Sequence, residues 1–153
     1  MPDRPGTIGE VCIAAAMFAT VALLAAGNAC AASMRIRDEG YLGFRNSSGS
    51  LVVDEGRLAG TLPGRARVQF TYDGSPTVKA TFTIVGSGWE LRGAATCRLS
   101  HPNSSAPSFR GALTLTGGSG RYAHARGSGE LFGVFYRATS YGLKIQAVGN
   151  VRY

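Results

Sequence analysis

The chain has 153 residues, 22 of them glycine and three cysteine, and a formal net charge of +7 from 16 basic and 9 acidic side chains. That length suits one domain. It holds no Walker A phosphate loop, no G-x-G-x-x-G fingerprint and no G-x-S-x-G elbow, so those three chemistries are set aside.

Residues 11–32 carry no charge. The most apolar part, 11–26, suits the h-region of a signal peptide, and Ala29-Cys30-Ala31 is an A-x-A-like cleavage site. The region before it is weakly basic, because Arg4 is opposed by Asp3 and Glu10. Two alternatives stay open. The uncharged run is long enough to anchor the chain, with Arg35 and Arg37 on its cytoplasmic flank. Cys30 could also accept a lipid, although Gly27 stands where a leucine is expected. The organisation expected is a signal helix over 1–32, a flexible lead over 33–40 and a β domain over 41–153. The protein is then exported to a periplasm, cell surface or medium.

Removing 1–32 leaves 15 basic and 7 acidic residues, a charge of about +8, and Cys97 as the one thiol. No internal disulfide is possible in that form, so the core must hold the domain. A lone cysteine without a base beside it reads as a small buried hydrophobe. The charge favours an anionic envelope surface as partner. Nucleic acid is not expected, since there is no basic helix, zinc finger or RNP-like motif. His101, His124 and Cys97 lie on different segments, so no metal site is expected, and no cofactor.

After residue 33 the pattern alternates with period two. In 65–73, Val68, Phe70 and Tyr72 share one face; in 77–85, Val78, Ala80, Phe82 and Ile84 do. Asp73-Gly74-Ser75-Pro76 joins them as a turn. A strand from Trp89 to Cys97 follows Gly86-Ser87-Gly88. Segments 109–116, 130–137 and 141–153 alternate again, and 41–45 and 51–62 complete about eight strands. Their spacing suits a meander that closes into a single antiparallel all-β barrel. An outer-membrane barrel of minimal size is a further alternative. Gly-Ser-Gly recurs at Gly86, Gly118 and Gly127, read as glycine turns between strands.

Phe70, Tyr72, Phe82, Trp89, Phe109 and Phe135 form the expected inward aromatic set, and Phe70, Tyr72, Phe82, Trp89 and Phe135 are the candidate ligand-binding residues. A barrel of this size either fills with side chains or holds one small ligand. No catalytic residue is assigned. Were the interior catalytic, Glu90 or Glu130 would be the acid to consider, although alternation places Glu90 outward with Trp89 and Leu91 inward.

The most specific stretch is LTLTGGSGRYAHARGSGELFG, residues 113–133. It resembles the motif of the dirigent and allene oxide cyclase-like barrels, and that of small secreted bacterial proteins that carry it: a strand, Gly-Gly-Thr-Gly, an aromatic, Ala-Arg-Gly, the next strand. Gly117, Gly118, Gly120, Tyr122, Arg126 and Gly127 occupy those places, with Ser119 for the threonine. The resemblance implies an eight-stranded barrel, often a homotrimer, with Tyr122 folded back as a plug and Arg126 bonded to loop carbonyls. For function the resemblance implies an isomerase or cyclase acting by confinement; the inward aromatic set favours instead a non-catalytic holder of a small hydrophobic ligand, and a trimeric adhesive surface protein is a third alternative.

Overall fold

The computed structural model describes residues 31–137 and 141–153. The expected signal segment lies outside them, but for its last two residues. Eight strands follow in order: β1 Ser33–Ser48, β2 Leu51–Gly60, β3 Gly64–Thr71, β4 Thr77–Gly86, β5 Trp89–Ser100, β6 Ser108–Ser119, β7 Arg126–Tyr136 and β8 Gly142–Arg152. A single 3-10 turn, Gly120–Tyr122, sits between β6 and β7. Each strand pairs antiparallel with the next, and β8 pairs with β1, closing the barrel. Closure leaves no strand edge to pair with another chain.

Period two decides which side chains fill the barrel. On β3, Ala66, Val68 and Phe70 point inward; on β4, Val78, Ala80, Phe82 and Ile84; on β5, Leu91, Ala95, Cys97 and Leu99. Leu42, Leu91, Leu115 and Val151 are buried almost completely. Such burial contributes about 1.5–3 kcal/mol per side chain. The barrel thus rests on its apolar filling, with no disulfide among the described residues; Cys97 is a buried free thiol.

Two expectations are corrected. Residues 33–40 are not a flexible lead. They are the first half of β1, paired with β8 from Ser33↔Arg152 to Gly40↔Ile145. The alternation was present: Ile36 and Asp38 are buried while Arg35 and Arg37 are exposed. Asp38 disguised it, a charged residue at an inward position where alternation calls for an apolar one. The third Gly-Ser-Gly is not a turn either. Gly127, Ser128 and Gly129 lie within β7, and Gly129 faces Gly149 of β8. A Cβ on Gly129 would stand 2.1 Å from the Val148 carbonyl oxygen, so the two strands approach too closely there for a side chain.

The meander gives the barrel two unlike ends. At one, the plugged end, lie the β2–β3, β4–β5 and β6–β7 connections, with Ser33 and Tyr153. At the other, the loop end, lie the β1–β2, β3–β4, β5–β6 and β7–β8 connections.

Candidate ligand site in the barrel interior

The barrel encloses a narrow cavity of about 100 Å³ whose wall is almost wholly apolar. Phe70, Tyr72, Phe82 and Phe135 line it, together with Phe109 and the aliphatic side chains of the inward rows. Phe135 stands edge-on to Phe70 with ring centres 5.9 Å apart, and to Tyr72 at 6.3 Å. Trp89 is not part of the wall. It opens β5 at the plugged end, beyond Leu91, where its ring stands edge-on to Tyr122 at 5.0 Å.

The motif from Gly117 to Gly127 builds that plug. Gly120 has φ +59°, and a Cβ on it would lie 2.3 Å from the Gly88 carbonyl oxygen, so only glycine lets this turn settle on the β4–β5 turn. Gly118 packs as closely on the Glu90 carbonyl, and Gly117 also has positive φ. Tyr122 is thereby carried inward and buried between Trp89 and Tyr153, whose ring centre is 4.9 Å away. Arg126 donates from Nη1 to the Ala125 carbonyl at 2.8 Å and begins the pairing of β7 with β8 opposite Arg152, with Gly127 next, opposite Val151.

Neither glutamate considered as an interior acid is inside. Glu90 is bound to Arg92 at 3.0 Å and Glu130 to Arg110 at 2.7 Å. Both lie on the outer face, because alternation gives the inward positions of β5 and β7 to Leu91 and Leu131.

Two aspartates are inside instead. Asp38 forms part of the cavity wall, and its Oδ1 accepts the Leu62 backbone N–H at 2.7 Å. Burial pushes its carboxyl up, offset in part by the N–H groups of Leu62 and Thr61. Asp38 has a structural task, fastening the β2–β3 turn to β1.

Asp54 has none of these partners. It is fully buried, it lies on the inner face of β2 opposite Val68, and neither carboxyl oxygen has a hydrogen bond. Desolvation pushes its pKa up to about 7. Buried polar atoms in native proteins are nearly always satisfied, and exceptions concentrate at sites of function. Below neutral pH, Asp54 is a neutral carboxylic acid on the inner face of β2, beside the cavity-lining Val68 though not itself in the cavity wall.

Cys97 also lines the cavity, and burial pushes its thiol up to about 11, so it stays protonated and inert at neutral pH. At the loop end, Arg137 lies over Tyr72 with its guanidinium carbon 4.5 Å from the ring centre, and donates from Nη2 to the Tyr72 hydroxyl. The Tyr72 hydroxyl in turn donates to the Pro102 carbonyl at 3.3 Å, tying the β5–β6 loop across this end. The Arg137 Nε is buried and unpartnered.

The sequence signal for Asp54 was weak. Val52-Val53-Asp54 offers two phases, and Val53, although buried, faces outward opposite Gln69. Taking the phase from Leu58 would have placed Asp54 inward.

One solved structure aligns with this barrel. It is that of a pterocarpan synthase dirigent protein, with a TM-score of 0.50 and 12% identity, covering 80% of this chain and 84% of that one. The fold is dirigent-like. No family model matches the chain, and no curated protein matches it. At that identity the likeness is one of architecture: eight antiparallel strands around a central chamber.

Proposed function

We propose that this protein is an exported barrel that holds one small apolar or aromatic molecule in its interior, oriented by a hydrogen bond to Asp54. The observation that carries the reading is an apolar cavity of about 100 Å³ on the same inner surface as a buried, unpartnered carboxyl. An apolar cavity of roughly 150 Å³ stays dry and takes up benzene, so the smaller volume here, about 100 Å³, sets one small ring as the upper limit. Binding sites of this kind combine apolar walls with a few polar groups that set orientation.

The test is a thermal-shift and methyl-NMR screen of the protein against benzene, phenol and small cyclic ketones. A ligand that binds only the folded state raises the melting temperature by mass action. Phenol or a ketone is expected to outperform benzene in the protein and to lose that advantage in Asp54→Leu. Ala80→Leu, which fills the cavity, is expected to abolish all three responses. If no compound perturbs the methyls of Leu113, Leu131 or Ile145, the interior is only a packed core and the reading fails.

A second reading is an isomerase or cyclase acting by confinement. Asp54 supports it, because a carboxyl near pH 7 is matched to general acid–base work. The likeness to a pterocarpan synthase dirigent protein agrees with it at the level of fold. In this reading Asp54 lends a proton to a ligand oxygen and recovers it after ring closure. Turnover of a bound ketone or enone that vanishes in Asp54→Asn while binding persists would establish it. Binding without turnover leaves the holder.

A further inference from the structure

The outer face of β2 and β3 carries a second concave feature. Arg45, Arg57 and Arg65 line a groove of about 620 Å³ together with Pro63, Gly64 and Val85. Arg45 is the extra residue of a β-bulge in β1, which aims it toward β2. Arg57 and Arg65 stand directly opposite each other across β2 and β3. Like charges so placed repel and destabilise a sheet.

One carboxylate serves this cluster. Glu55 lies 3.4 Å from Arg45, 3.2 Å from Arg65 and 3.1 Å from Arg67, and its side chain is only 17% exposed. Those three arginines remain more than half exposed, so their outer N–H groups face solvent. Arg57 has no carboxylate partner among the described residues. Glu55 therefore orients three guanidiniums without neutralising them, and a substantial positive charge stays at the groove.

We propose that this groove binds a phosphate group carrying close to two negative charges, either free or as the monoester headgroup of a lipid. Arginine forks match phosphate oxygens in paired hydrogen bonds, and two or more forks from different strands suit a tetrahedral anion. A doubly charged group offsets the Arg57–Arg65 repulsion that Glu55 leaves in place. The groove lies on the outside of the sheet, so the proposal stands or falls separately from the interior site.

The experiment titrates the full chain with inorganic phosphate by calorimetry at constant ionic strength, and in parallel with phosphatidic acid vesicles against phosphatidylcholine vesicles. Two double variants each remove two positive charges: Arg57→Ala with Arg65→Ala at the groove, and Arg98→Ala with Arg152→Ala elsewhere. Circular dichroism confirms that each keeps the barrel. The groove variant is expected to weaken phosphate binding about tenfold or more, and the distant variant about twofold or less. Binding to phosphatidic acid vesicles alone, with the same dependence on Arg57 and Arg65, supports the proposal and assigns the phosphate to a lipid. Equal weakening in both variants would show diffuse charge attraction and overturn it. So would the absence of binding to both probes.

Discussion

The two ends of this barrel are built on opposite terms. At the plugged end Tyr122 is buried between Trp89 and Tyr153, and Arg121 lies over the Tyr122 ring at 4.8 Å and over Trp89 at 5.6 Å. Asp38 spends its carboxylate on the β2–β3 turn, and the positive-φ positions here, Gly60, Gly88, Gly117 and Gly120, are all glycine. At the loop end the Arg137 Nε has no partner, Asp54, the fourth residue of β2, has none for either oxygen, and His101 and Tyr141 adopt positive φ with full side chains. Unsatisfied polar atoms and backbone strain are tolerated where surrounding structure holds them, and they gather at sites that act on something else. The contrast teaches that one end of the barrel satisfies its buried polar groups while the other leaves them unpaired.

The largest expected effect tests the plug. Tyr122→Ala removes a fully buried ring and is expected to lower stability by about 3–5 kcal/mol. The same truncation at Tyr72, which is half-buried beside an existing cavity, is expected to cost about 1–2 kcal/mol. Denaturant midpoints of the two variants, at unchanged slope, make the comparison. Equal losses would erase the distinction between the ends.

The next effect is the pH dependence that Asp54 imposes. Its carboxyl titrates near 3.8 in the unfolded chain and is raised to about 7 when folded. Between those values the unfolded chain has released the proton and the folded chain still holds it. Stability is therefore greatest below about pH 4 and declines as pH rises toward 7, by at most about 4 kcal/mol. Asp54→Asn cannot ionise and is expected to lose most of that decline. A smaller slope of the same sign should remain, because Asp38 is also raised by burial. Urea unfolding from pH 4 to 8 measures both, and an unchanged slope in the variant would show that Asp54 is ionised and solvated in the native barrel.

Much of this architecture could be read before the structure. Alternation over 65–73 and 77–85 assigned Val68, Phe70, Tyr72, Phe82 and Ile84 to one side of their strands, and they do line one interior. Period two was legible there even with Arg65, Arg67 and Lys79 on the outer faces, because every inward position is apolar or aromatic. It was obscured in 33–40, where Arg35, Arg37 and Glu39 alternate with Ile36 and Asp38 and the stretch reads as a solvated lead. The candidate acid was missed for a related reason. A buried carboxyl without a partner breaks the rule that a reader relies on to tell inside from outside. Glu90 and Glu130 drew notice because aromatic and aliphatic neighbours flank them, yet both are paired on the outer face, Glu90 with Arg92 two residues along β5 and Glu130 with Arg110 across on β6. Trp89 obeyed its phase and still missed the cavity, because phase assigns a side and says nothing of depth along the barrel.

The strained residues offer a smaller and sharper test of the loop end. Tyr141 has φ +44° and a largely exposed side chain whose ring centre is 6.2 Å from that of Phe44. A left-handed conformation costs a residue with a Cβ roughly 1–2 kcal/mol relative to glycine. Tyr141→Gly is therefore expected to relieve strain, offset by the greater freedom glycine has in the unfolded chain and by loss of the Phe44 contact, for a net gain of about 0.5 kcal/mol. If the strain serves an occupant, the variant should be more stable and yet bind the interior ligand less well, as strained sites often trade stability for function. A variant that gains stability and keeps full affinity would show that Tyr141 is strained only by the shape of its connection. The loop end would then owe its character to Asp54 and Arg137 alone.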